Sequence, residues 1–402
     1  MVELKADIVV IGAGIAGLWL HRRLNDLGYY TILLDRAGLG GGQTLSSQGI
    51  IHGGSKYTLS GMMTASASAI SAMPDRWQRC MEAEGEIDLS GLRVLSANQF
   101  MWSTTALSSK LTSFFGSKAV NGKIQQLSPE HYPLAFQSKQ FNGSLYRLNE
   151  AVVDVSSLVE QLSGKWRQRM LQLPQEYEFE RNAQGLVAGL KVADKLQISA
   201  SQFVLSSGEG NQSLLTELSM DKPKMQRRPL HMILAKGKNL PSIYAHCIGA
   251  STKPLATITT HYHSDGDPVW YIGGKLAEEG VDAAADDLIA EAETTLPRLL
   301  PWVDLNNVSW ATHKINRAEP AQSRLLRPDT AYGNSVGNVH IAWPTKLALA
   351  PDLVDRFEIE LAEQNIQPDS GLNHQQIDQA MPAEFAATQA ENLWERSFHG
   401  VR

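Results

Sequence analysis

The chain opens on DIVVIG (7–12), a β-branched run with no polar alternation, which predicts a strand buried on both faces. From Ile15 the period changes. Leu20, Leu24 and Leu27 recur at i, i+4 and i+7 with His21, Arg22, Asn25 and Asp26 between them, predicting a helix with one apolar face that Gly28 ends. TILLD (31–35) predicts a second strand and completes a β-α-β unit. Farther on, EAVVDVSSLVEQLSGKWRQRM (150–170) reads as a strand and a helix capped by Ser156 or Ser157, with Leu158, Leu162 and Trp166 at helical spacing. GLVAGLKV (185–192) reads as a ribbon strand, SQFVLSSGEGNQSLL (201–215) as strand, turn and helix, and VHIAW (339–343) as a strand that turns at Pro344 into a helix. Between these lie GLRVLSANQFMW, GSLYRL, PLHMILAKG, LATITTHYH and VWYIGG, all strand-like, and one helical stretch, DAAADDLIAEAETTLPRLL. After residue 355 the chain is polar. EQNIQPDSGLNHQQ reads as a loop and PAEFAATQAENLW as a short amphipathic helix.

The first turn carries chemistry. Gly12, Gly14 and Gly17 stand at the strand-to-helix junction in a G-x-G-x-x-G pattern that includes Ile15 and Ala16. Gly12 permits a tight turn, the bare Cα of Gly14 lets a pyrophosphate approach, and Gly17 allows close packing of helix on strand. The helix start offers unpaired N–H groups to phosphate. Asp35 ends the second strand, where an acid accepts hydrogen bonds from a ribose 2′-hydroxyl. This combination points to a dinucleotide. A free 2′-hydroxyl favours NAD or FAD over NADP, although Arg36 keeps the phosphorylated form open.

Composition narrows the classes. A chain of 402 residues exceeds one ordinary core and predicts two domains. A formal net charge of -6 argues against a dedicated nucleic-acid binder. Two distant cysteines, Cys80 and Cys247, supply neither a disulfide framework nor a zinc spacing, which fits a reduced, cytoplasmic protein. The apolar run from Ile8 to Leu20 is shorter than the roughly 20 residues of a membrane span.

The next segment, GLGGGQTLSSQGIIHGGSKY (38–57), decides between cofactors, because an NAD dehydrogenase would continue directly to a third strand. SSQGIIHGGSKY resembles the element beside the flavin in the D-amino-acid-oxidase-like FAD oxidoreductases, a group that includes glycine oxidases and the glycerol-3-phosphate and L-2-hydroxyglutarate dehydrogenases. The resemblance implies FAD, with Ser46, Ser47 and Gln48 along the pyrophosphate and ribityl chain and His52, Gly53 and Gly54 beside the ring. Ser55 and Lys56 depart from the glycerol-3-phosphate pattern, which sets against a phosphate-bearing substrate. The resemblance also implies later landmarks in order: Val153 before the returning helix, then Ser207, Gly208 and Gly210 against the adenosine half. Last comes a turn at Pro344, Thr345, Lys346 and Leu347 facing the flavin pyrimidine. Relatives are glycine-rich at that turn, so the location carries over and the residues do not. The implied fold class is α/β: a discontinuous Rossmann-like FAD-binding domain (1–84, 151–220 and 326–402) interleaved with an α+β, mixed-sheet substrate domain (85–150 and 221–325).

The implied reaction is oxidation of a C–H next to a hydroxyl or amine of a small acid, with transfer of hydride to the flavin. His52 is the candidate base, since imidazole titrates near neutrality. Lys346 is placed to stabilise charge on the reduced flavin, and Arg317, Arg324, Arg327 and Lys56 are candidate carboxylate clamps. Each has a plainer reading: a loop-structuring histidine, a surface lysine, arginines in salt bridges. His261 and His263 share a strand face but lack a third ligand, so no metal is expected, and Tyr262 and Tyr271 read as pocket or core residues. Two other functions stay open: a flavoprotein acting on a modified tRNA base, and a flavin-binding protein whose active site has drifted. The electron acceptor (oxygen, quinone or protein) is left undetermined, and the expected location is cytoplasmic or peripheral at the inner membrane.

Overall fold

The computed structural model describes residues 1–54, 65–103, 124–249, 254–322 and 330–399, with no side chains for 65–68. Lys56, Arg324 and Arg327 lie outside the described residues. The first sheet is built around β1 (Val2–Ile11), which pairs in parallel with β2 (Thr31–Asp35) on one side and β11 (Leu196–Leu205) on the other. β8 (Met170–Gln172) extends it beside β2, and β18 (Val339–Trp343) extends it beside β11, both parallel. β17 (Tyr332–Val336) closes one edge antiparallel to β18, and a ribbon of β9 (Glu178–Arg181) and β10 (Val187–Val192) continues from β11. The sheet is covered on both faces, which explains the continuous apolar run of β1. Ile8 and Val10 meet the helices α1 (Ile15–Asp26), α2 (Ala65–Met81), α3 (Val155–Gly164) and α7 (Ala350–Glu363); Val9 and Ile11 meet α4 (Asn211–Glu217) and the ribbon.

The second sheet has the order β16 (Ser309–Pro320), β12 (Met225–Lys236), β15 (Pro268–Gly273), β14 (Pro254–Tyr262), β13 (Tyr244–Ile248), β4 (Gln99–Ser103), β6 (Ser144–Leu148), β5 (Ile124–Gln126). It is mixed, since β13 and β4 run parallel while the other pairs are antiparallel. One face packs on α6 (Ala285–Leu299) through Trp102, Ala245, Ile258, Trp270 and Ile233. By strand alternation, residues of the other parity face the loop that follows β2. The short helix α5 (Lys275–Glu279) follows β15, and β3 (Val94–Ser96) with β7 (Val152–Val153) forms a separate two-stranded sheet. The strand expected over GLRVLSANQFMW is thus two strands in different sheets.

Three readings change. α3 is capped by Asp154, whose Oδ1 accepts from Ser157 N at 2.8 Å, and not by either serine. The polar side of α1 is largely buried, with His21 at 0%, Asn25 at 5% and Arg22 at 8% exposure, because α3 and α7 cover the face expected to meet solvent. The tail is mostly extended where a helix was expected: Leu39 N donates to Thr388 O, Ala390 N donates to Leu39 O, and Ala387 N donates to Met170 O. It reaches α9 (Leu393–Ser397), where Trp394 stacks on His261 at 3.9 Å and Glu395 accepts from Ser264. The helix α8 (His374–Ala380) occupies part of the expected loop. Among the described residues no helix is long and apolar enough to cross a membrane.

Burial pushes the imidazoles of His21 and His261 down to about 3. The unfolded chain takes up protons near pH 6.5 while these rings resist until far lower, so acidification favours unfolding. Stability is complete above pH 6.5, and each ring accounts for a loss of about 2 kcal/mol by pH 5. His261→Phe keeps a ring on Trp394 and cannot titrate. It should shrink the difference in urea-unfolding free energy between pH 7.5 and pH 5 by about 2 kcal/mol; an unchanged difference would mean that this ring does not resist protonation.

Candidate active site

The carboxyl ends of β2, β1 and β11 meet where the connections diverge to opposite sides of β1, the place where open α/β sheets hold ligands. Gly12 follows β1 with φ +111°, and a Cβ there would sit 2.5 Å from the Ser207 backbone. A Cβ on Gly17 would sit 1.8 Å from the Gly12 carbonyl oxygen. Gly14 precedes α1 with no side-chain cap, and the first turn of α1 holds no acid. Thr44 Oγ1 accepts from Ile15 N at 2.9 Å, while Ala16 is buried in the helix.

Asp35 accepts from Ala13 N at 2.6 Å and from Ala37 N at 2.7 Å. Burial raises its carboxyl above the usual carboxylate range, and these N–H groups work against that shift. Arg36 is exposed and borders a cleft of about 560 Å³ between Gln172–Pro174 and Glu384–Ala386. On the other flank Ser206 Oγ donates to Gly12 O, Ser207 Oγ donates to Ile11 O, and Asn211 Oδ1 accepts from Ser207 N. Gly208 has φ +58°, and a Cβ on Gly210 would meet Ser207 at 3.1 Å.

The loop after β2 is fastened to the second sheet. Tyr271 Oη donates to Ser46 O at 2.9 Å, His313 Nε2 lies 3.0 Å from Ser46 Oγ, and Gln48 Nε2 donates to the carbonyls of Thr257 and Tyr271. Burial, reinforced by Arg396, pushes the His313 ring down to about 4. Gly49 is required because a Cβ would lie 2.2 Å from Val153 O, so Val153 underpins the loop from below. Ser47 Oγ is shielded from solvent with no hydrogen-bond partner among the described residues. A ligand with polar atoms along this loop fits that orphaned hydroxyl and the glycine cradle at α1.

At the loop's end Glu150, 1% exposed, takes both neighbours at once. Its Oε2 lies 3.2 Å from His52 Nδ1, and its Oε1 accepts from Gly53 N at 3.0 Å. An ionised Glu150 needs the imidazole proton on Nδ1, which makes Nε2 the acceptor. The ring of His246 lies parallel to His52, 6.4 Å away at 17°, with its Nδ1 2.8 Å from Thr257 Oγ1. Gly54 follows with φ +75°.

The turn after β18 is tight: Lys346 N donates to Pro344 O at 2.7 Å across Thr345, which holds φ +58°. A β-branched residue at positive φ is strained, and Thr345 Oγ1 anchors it on Thr330 O at 2.9 Å. Lys346 is only 6% exposed, contrary to the surface-lysine reading, and Leu347 begins the turn that leads into α7. Trp343 Nε1 donates to Gly208 O, joining this turn to the one after β11.

The other candidates separate. Arg317 lies on β16 with Nε donating to Arg228 O at 3.2 Å. Tyr271 is buried, Tyr262 is exposed, and His263 lies past the end of β14, in ion pairs with Asp265 and Glu395. Among the described residues no three metal-ligating side chains gather. Sequence reading did not single out Glu150, His246, Thr44 or Asn211. The available signals were an acid amid the apolar stretch LNEAVV and a histidine within the strand YAHCI.

A sequence model described as FAD dependent oxidoreductase (DAO) matches residues 7–333. The chain is 47% identical over 396 residues to the probable FAD-dependent oxidoreductase PA4991 of Pseudomonas aeruginosa, covering 98% of this chain and 99% of that one. The chain belongs to the DAO family of FAD-dependent oxidoreductases. It is thus a flavoenzyme whose cofactor is FAD. The crystal structure of PA4991 superposes with a TM-score of 0.85 at 42% identity over 98% of this chain and 99% of that one. Two more distant DAO-like folds are FAD-bound L-α-glycerophosphate oxidase of Mycoplasma pneumoniae and glycine oxidase of Geobacillus kaustophilus. The first gives TM-score 0.62 at 12% identity, covering 92% of this chain and 98% of that one. The second gives TM-score 0.60 at 13% identity, covering 88% and 95%.

The close approach at Gly17 yields a graded expectation. Gly17→Ala should lower the yield of yellow protein and destabilise it by about 3 kcal/mol or more, because backbone must move. Gly42→Ala, with open space around its φ +67° backbone, should cost about 1 kcal/mol and retain flavin. Thermal melts and flavin-to-protein absorbance ratios read both.

Proposed function

We propose that this flavoenzyme oxidises a C–H next to a hydroxyl or amine of a small acid, and that the His52–Glu150 pair carries the proton chemistry. The supporting observation is the buried carboxylate that holds both His52 Nδ1 and Gly53 N. Such an oxidation removes a hydride from carbon and a proton from oxygen or nitrogen. Bound FAD supplies the hydride acceptor. His52 Nε2 receives the proton, and Glu150 stabilises the imidazolium that results. A hydroxyl needs this help more than an amine, which can shed its proton to water before it binds, so a hydroxy acid is the favoured substrate.

In this reading Gly12, Gly14, Ile15, Ala16 and Gly17 cradle the pyrophosphate of FAD, with Ser207, Gly208 and Gly210 on the opposite flank. Asp35 takes the ribose, Arg36 borders the adenosine end, and Ser46, Ser47 and Gln48 follow the chain towards the ring. Val153 lies beneath Gly49 and supports that part of the chain from below. The turn from Pro344 to Leu347 faces the pyrimidine end, where buried Lys346 offsets negative charge. Arg317 is the clamp candidate among the described residues; Arg327 and Lys56 remain candidates outside them. The two sheets support the division into an FAD-binding part (1–84, 151–220, 326–402) and a substrate part (85–150, 221–325).

His52→Ala should retain FAD and slow anaerobic flavin bleaching by small hydroxy acids about 100-fold or more. Glu150→Gln should move the pH profile of that bleaching, since the neutral amide no longer stabilises the imidazolium. Bleaching rates that match wild type in both variants would remove the pair from the mechanism.

A further inference from the structure

The second sheet turns one face to α6 and the other towards His52. Phe100 and Trp102 of β4 pack in the α6 core, so Gln99, Met101 and Ser103 belong to the opposite face. Register fixes their neighbours. Met101 stands beside His246 of β13 and Tyr146 of β6, and Gln99 pairs with Leu148. Met101, Tyr146, Leu148 and Ile248 form one apolar cluster on this face, with the His246 ring stacked 6.4 Å from His52. Within this apolar surround Gln99 is 0% exposed, and neither its Oε1 nor its Nε2 has a hydrogen-bond partner among the described residues. Ser103, also 0% exposed and two residues beyond Met101, has an Oγ with no partner among the described residues.

A buried amide with both ends unsatisfied gives up its hydration for nothing. The same loss becomes selective when a ligand supplies the missing partners, because an analogue without them leaves the amide unpaired. We propose that Gln99 is a specificity-determining residue that recognises the far end of the substrate. The inference rests on the reading of His52 as the reacting end. Gln99 both donates and accepts, so one group that also does both satisfies it: a hydroxyl or a carboxamide. A carboxylate would pair with Nε2 and face Oε1 with like charge. The substrate class is therefore a small 2-hydroxy or 2-amino acid whose side chain ends in a neutral hydroxyl or amide.

The test uses FAD-loaded full-length protein and matched probes. These are 2,4-dihydroxybutanoate against 2-hydroxybutanoate, and homoserine and asparagine against 2-aminobutanoate. Binding to the oxidised enzyme is followed by perturbation of the flavin spectrum, and turnover by anaerobic bleaching. In wild type the polar-ended probe of at least one series should bind about tenfold tighter than its alkyl counterpart. Gln99→Met, close in shape, should bring that ratio near one, keep the flavin, and melt roughly 1–3 °C higher because an unsatisfied amide is gone. A ratio near one in wild type, or a ratio that survives in the variant, overturns the assignment. So does loss of FAD, which would make the flavin the partner of Gln99, or a lower melting temperature, which would mean that the protein already satisfies the amide. Selective binding without bleaching would count against the reaction assigned to His52 and leave Gln99 as the selector.

Discussion

The carbonyl oxygen of Gly12 lies where a side chain on Gly17 would have to be, and the backbone of Ser207 lies where one on Gly12 would be. That three-way approach of strand end, helix start and neighbouring strand is possible only without β-carbons. It brings together the start of α1, the Asp35 carboxylate and the turn after β11. A single methyl group in the wrong place separates these elements, and no gain in core packing elsewhere restores their convergence.

From this junction the loop after β2 travels to the second sheet, and its fastening is polar. Gln48 and Tyr271 exchange hydrogen bonds with backbone and side chains across that gap, and Glu150 holds the far end at His52 and Gly53. Apolar contacts are non-directional and would let such a glycine-rich segment slide. Directed hydrogen bonds to buried partners set its register. The C-terminal segment adds a second tie between the sheets, running from the edge at β8 past Leu39 to Trp394 on His261.

Among the departures from a relaxed backbone or a satisfied core, two bear on the proposed site. Thr345 holds a positive φ beside buried Lys346, and Gln99 keeps an amide without partners among the described residues beside the His246 row. Evolved proteins retain such costs where function requires them. The serine and glycine turn after β11 is ordinary by comparison, because every side-chain polar group named there has a backbone partner.

The local elements were legible because their signals are local. The run DIVVIG, the glycine spacing and Asp35 specify strand, turn and acid within one β-α-β unit, and alternation marked most strands of the second sheet. The element SSQGIIHGG likewise carried the cofactor assignment. What the sequence left open depends on partners distant in the chain. Glu150 meets His52 across 98 positions, α1 buries its polar side because α3 and α7 arrive from distant parts of the chain, and the tail stays extended because Leu39 and Met170 offer it backbone hydrogen bonds. A propensity is a property of neighbours in sequence, whereas burial and pairing are properties of neighbours in space. The chain therefore determined by itself the shape of most local pieces and the kind of cofactor, FAD. Only the assembled structure decided which carboxylate meets the histidine, which lysine is buried and which amide is buried without a partner among the described residues.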